Sequence, residues 1–162
     1  MNKERVAFIR DRLTVIANDE KAREHFDIDQ WVTQPATRHA EPITLAEMAI
    51  VHDCGFAGCI LGWASHERWF EPWGYEVRAT ETSIQIMRIG EKERHPFEPE
   101  RPFGDILGVD PAVSTQIIYG SYYEGKEDPI DEAITRLTFL HNRGEQAFIK
   151  RYVRVEDDGS RD

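Results

Sequence analysis

The fifteen residues from His52 to His66, HDCGFAGCILGWASH, hold both cysteines of the chain, two of its six histidines and three glycines. Two kinds of chemistry use such side chains. A cysteine becomes a nucleophile when a helix N-terminus or a nearby cation favours its thiolate and a histidine takes its proton. Cysteine and histidine together hold zinc when close pairs of them place two ligands on one side of the ion.

Cys54 stands just before a predicted helix, where the helix dipole and free backbone N–H groups stabilise a thiolate. The tetrad DCGF, residues 53–56, resembles the Asp-Cys-Ser-Gly-Phe element that opens the catalytic helix of the NlpC/P60 cysteine peptidases, with the serine absent. That resemblance implies a hydrolase with Cys54 as nucleophile, and in the peptidases the histidine partner starts a strand followed by small residues. Here His95 precedes a proline in ERHPFEP, while His66 and His141 fall on predicted helices. The expectation is therefore that no residue is catalytic and that Cys54 packs as a small apolar side chain, the alternative being Cys54 with His66 or His141 as base. For a metal, His52, Cys54, Cys59 and His66 follow one another at spacings of two, five and seven, which match no zinc pattern. No metal and no cofactor are expected.

The elements that would position these side chains are predominantly helical. Val6, Ile9, Leu13 and Ile16 recur every three or four residues among charged neighbours and predict an amphipathic helix over about residues 2–18. Residues 26–42, with two prolines and little periodicity, read as an irregular connection anchored by Phe26 and Trp31. Thr44 and Glu47 form a capping box at the start of a short helix. After the interruption at 52–55, helical spacing resumes through Phe56, Cys59, Ile60 and Trp63. Gly55, Gly58 and Gly62 leave a smooth strip for close backbone approach, so Cys54, Gly55, Cys59, Gly62 and Trp63 read as a structural motif.

Residues 75–90 are rich in β-branched side chains and break at Thr80–Thr82, predicting a hairpin with Ile84 and Ile86 on its buried face. The proline-rich, charged stretch 91–102 reads as a mobile loop. Asp110-Pro111 and Asp128-Pro129 each look like an N-cap followed by proline at the first helical position. Ile130, Ile134, Leu137 and His141 form the stripe of a helix that Gly144 ends, and a last helix runs through 145–155. The expected fold is α+β: a mainly helical single domain over 1–155, with one small antiparallel β-hairpin and a disordered tail at 156–162.

Composition narrows the function. With 40% hydrophobic and 31% charged residues the chain has the balance of an ordinary globular protein, and its charged N-terminus offers no apolar stretch for a leader or a membrane span. A cytoplasmic setting follows, in keeping with two cysteines that form no disulfide framework. Thirty acidic residues against twenty basic ones give a net charge of −10, which opposes attraction to a phosphate backbone. Residues 103–120 look like a helix-turn-helix, yet no Lys or Arg occurs from Phe103 to Tyr123 to grip phosphates. Nucleic acid is accordingly not the expected partner, and acidic mimicry of a nucleic acid is the weaker alternative.

Tyr119, Tyr122 and Tyr123, flanked by Gly120 and Gly125, offer large rigid contact area, and with His95 and Phe97 of the preceding loop they are the expected ligand- or partner-binding residues. Four elements, FDIDQW at 26–31, CGFAGCILGWA at 54–64, ILGVD at 106–110 and DEAITRL at 131–137, together resemble a family of small uncharacterised proteins from bacteria and tailed phages. Its core reads Cys-Gly-Thr-x-x-Cys-Ile-Ala-Gly-Trp-Ala, and Phe56 and Leu61 depart from it. The resemblance implies a phage or host setting and, by analogy only, an inhibitor or counter-defence role. The function expected is a non-enzymatic binding protein that engages a host protein or sequesters a small ligand.

Overall fold

The computed structural model describes residues 1–24, 60–79, 84–91, 99–119 and 128–153. Helix α1 spans Lys3–Asn18 and buries Val6, Ile9, Leu13 and Ile16, the stripe its spacing predicts. The Asn2 side chain caps it by accepting from the Arg5 amide at 3.1 Å. A five-residue helix, α2 (Glu20–Glu24), follows at once. Asp19 starts it by accepting from the Ala22 amide at 3.1 Å.

Helix α3 (Ile60–His66) is buried on every side from Ile60 to Ser65, as befits a helix in the middle of a core. The Ser65 hydroxyl donates to the Val77 carbonyl at 3.0 Å and ties α3 to strand β1 (Tyr75–Ala79). A 3₁₀ turn at Glu71–Trp73 leads into that strand through Gly74, whose φ of 81° suits a residue without a Cβ. Strand β2 (Ile84–Arg88) pairs antiparallel with β1, Tyr75 opposite Arg88 and Val77 opposite Ile86. Ile86 is buried, as the alternation predicts.

Helix α4 (Glu100–Leu107) begins earlier than its composition suggests. Residues 100–102 fall in the stretch read as loop, but they form the first helical turn. Pro102 is tolerated there because the first N–H groups of a helix have no carbonyl to reach. Gly108, at φ 64°, turns the chain into α5 (Pro111–Ile118), capped by Asp110 accepting from Ala112 at 2.8 Å. Helix α6 (Pro129–Arg143) is capped in the same way by Asp128, and Gly144 separates it from α7 (Glu145–Tyr152). Among the described residues the structure is thus mostly helical with one two-stranded antiparallel sheet.

One hydrophobic cluster runs from Val6 to Phe148 and takes in α1, α3, both strands and α4–α7. Its centre is the packing of α1 on α6. Burying a side chain such as Leu13, Leu137 or Phe103 stabilises the fold by about 1.5–3 kcal/mol. Polar groups fix the register of the helices. Arg23 of α2 donates Nε to Asp128 at 2.9 Å and Nη2 to Asp131 at 2.7 Å. Hydrogen bonds that it donates to Asp128 and then to Asp131 hold the Arg23 guanidinium above its ordinary pKa. Deeper in, Arg136 pairs with Glu132 at 3.0 Å, donates to the Gln116 carbonyl at 2.7 Å and lies 5.0 Å over the Tyr152 ring, joining α5, α6 and α7. No described helix is long and apolar enough to cross a membrane.

Candidate binding cleft

The described part of the opening stretch belongs to the core. Gly62 is buried within α3, and Trp63 is 2% exposed. His66 is the last residue of that helix. His141 sits half-buried near the end of α6, its Nδ1 2.9 Å from Asn142 Oδ1, at the edge of a core face made by Ile130, Ala133, Leu137 and Leu140. Tyr119 closes α5 and packs half-buried against the same core. Cys54, Gly55, Cys59, His95, Phe97, Tyr122 and Tyr123 lie outside the described residues.

A concavity lies between β2 and α4, and Gly62, Trp63, Tyr119 and His141 do not line it. Ile86, Met87 and Arg88 of β2, Tyr75 of β1, Glu91 beyond the hairpin, and Arg101, Pro102 and Asp105 of α4 enclose about 220 Å³. Each element supplies its residues for a local reason. Arg101 and Asp105 stand four apart and so share one face of α4. Tyr75 and Arg88 are directly opposed across the ladder, and the Arg88 guanidinium lies 5.8 Å from the Tyr75 ring centroid, a cation–π contact. Three consecutive residues of β2, whose side chains alternate between faces, border the cleft, with Tyr75 of β1 beside them.

Aromatic and arginine packing below fixes α4 relative to the hairpin. Phe70 lies 5.8 Å from Trp73, nearly parallel to it, and 5.9 Å from Phe103. Arg5 lies 5.0 Å over the Trp73 ring and donates to the Ile106 carbonyl at 3.0 Å, holding α1, the 3₁₀ turn and α4 together. The Asn2 amide donates to the Leu107 carbonyl at 2.6 Å, at the end of α4. These contacts hold α4 against α1 and the turn that leads into the hairpin.

The lining presents, among the described residues, guanidinium donors, carboxylate acceptors, one phenol and apolar side chains, and no serine, threonine, cysteine, lysine or histidine. Among the described residues no group of three His, Cys, Asp or Glu side chains is arranged to hold a metal ion. Sequence reasoning missed this site. Its signals were present separately, as the strand alternation at 84–88 and the Arg101/Asp105 spacing, but nothing local says that β2 faces α4. No family model matches the chain, and neither a curated protein nor a solved structure matches it.

Proposed function

We propose that the protein is a non-enzymatic binding protein whose partner places a side chain in the cleft between β2 and α4. The observation that supports this reading is the cleft's lining, in which opposed charges, an aromatic ring and apolar side chains are brought together. Its size favours a partner protein over a free small ligand. About 220 Å³ is below the roughly 300–1,000 Å³ of small-molecule sites and suits one projecting side chain. An inhibitor or counter-defence protein works by such occupation of a surface, and the likeness of the cysteine element to phage proteins is consistent with that role by analogy.

The test is site-specific cross-linking. A photoreactive residue at Met87 should give a discrete adduct in cells that is lost with Asp105→Lys and retained with Cys54→Ala. An adduct insensitive to Asp105→Lys, or lost with Cys54→Ala while the fold is intact, contradicts the proposal.

A further inference from the structure

The register of the hairpin determines which backbone groups of β2 are free. The Ile89 amide donates to the Gly74 carbonyl at 2.9 Å, so the 74–89 pair is a hydrogen-bonded one. Hydrogen-bonded and non-hydrogen-bonded pairs alternate along an antiparallel ladder. Glu76 with Met87 and Arg78 with Gln85 therefore bond across the sheet, whereas Val77 with Ile86 and Tyr75 with Arg88 direct their amides and carbonyls outward. On the β1 side the outward Val77 carbonyl is taken by Ser65 of α3. On the β2 side the Arg88 carbonyl accepts from Glu91 at 3.0 Å. The Ile86 amide and carbonyl and the Arg88 amide, which face away from β1, have no hydrogen-bond partner among the described residues, and Ile86 and Arg88 both also line the cleft.

Taking the cleft as the binding site, we infer that its occupant is an extended basic segment of a partner protein, added to β2 as a third strand. An open strand edge is a template for such pairing: main-chain hydrogen bonds supply affinity, and a pocket for an alternate side chain supplies selectivity. The pocket here selects for positive charge. Arg88 lies over Tyr75, and Arg101 has an interaction of its own. The Glu91 and Asp105 carboxylates make no hydrogen bond or ion pair with another described group. A lysine or arginine entering the cleft meets both carboxylates, with its methylene stem against Met87 and Pro102. The chain's net charge of −10 draws such a partner in. The same charge disfavours a second copy on this edge, which would bring two pairs of these carboxylates together.

Arg88→Pro removes one outward amide and no hydrogen bond of the β1–β2 ladder, and proline is compatible with an edge strand when its missing N–H faces outward. Because it also removes the guanidinium that lies over Tyr75, Arg88→Ala, which keeps the amide, is the reference. Peptides selected from a displayed random library on the full chain should be rich in Lys or Arg. They should protect the Ile86 and Arg88 amides from hydrogen exchange and bind Arg88→Pro about tenfold more weakly, with the variant's circular dichroism unchanged. Asp105→Asn should weaken the preference for basic peptides. Selected peptides that perturb Tyr75 and Met87 but leave both amides unprotected overturn strand addition while the cleft remains a binding site. Failure to select any peptide, or binding that never touches the cleft, overturns both. A dimer that Arg88→Pro dissociates assigns the edge to a second copy and overturns the proposal.

Discussion

Gly104 is the point at which the support of the cleft can be tested by adding one carbon. A Cβ built there lies 2.9 Å from the Val109 carbonyl oxygen and 3.1 Å from Ser114 Oγ. Neither neighbour is free to retreat. The Val109 amide donates back to the Gly104 carbonyl at 2.9 Å, and Ser114 Oγ lies 2.6 Å from the Glu100 carbonyl and 2.9 Å from that of Pro111. In an exposed helix, Gly→Ala stabilises by about 1 kcal/mol. Overpacking a close contact costs about 1–3 kcal/mol, and here the neighbour is backbone, so the upper half of that range applies. Gly104→Ala should therefore destabilise the protein by about 1–2 kcal/mol, a fall in Tm of roughly 2–8 °C for a chain of this size. Urea denaturation followed by circular dichroism measures the first figure. Because Arg101 and Asp105 flank Gly104 on α4, the same shift should weaken binding at the cleft. A variant as stable as the parent, or more so, refutes the argument that α4 and α5 meet backbone to backbone at this glycine.

Three other outcomes follow from the ion pairs and caps. Arg136→Met leaves the Glu132 carboxylate, whose side chain is 9% exposed, without its guanidinium and should cost about 3 kcal/mol in denaturant. Glu132→Leu combined with Arg136→Met should cost less than Arg136→Met alone, because no buried charge is then left uncompensated. Asp128→Ala removes the α6 cap and a partner of Arg23, and should destabilise by about 1 kcal/mol or more, with the difference from the parent shrinking in high salt. Arg23 itself should add no pH dependence across the neutral range. Its folded pKa is raised, so its contribution is complete below the ordinary arginine value and is lost only above it, at extreme alkaline pH. Thermal unfolding of Arg23→Gln and parent, compared at several pH values, should give a constant offset.

How far the sequence could be read depended on whether a signal was local. The stripe of α1, the Asp-Pro starts of α5 and α6, the Gly144 stop and the hairpin all follow from neighbours within a few residues, and the structure has each of them. The first turn of α4 was misread because proline counts as a breaker unless it falls among the N-terminal residues whose amides are free anyway. Helix α2 is too short to show a periodicity. Tyr119 was legible as an aromatic but not as a residue packed against the core, since its burial depends on elements distant in the chain. The cleft was not legible at all. It exists because α1, the 3₁₀ turn and α4 meet around Trp73 and Phe103, and no short window of sequence contains that meeting.

The central claim is that this protein recognises and does not react, and Cys54 is where that claim is most exposed. The direct measurement is the pH dependence of iodoacetamide labelling at Cys54 in the native chain, followed by mass spectrometry beside a denatured control. The account predicts either protection until unfolding or labelling that rises around the ordinary thiol value of about 8.5. Rapid stoichiometric labelling near pH ~6, faster in the native than in the denatured chain, would reveal an activated thiolate and contradict it.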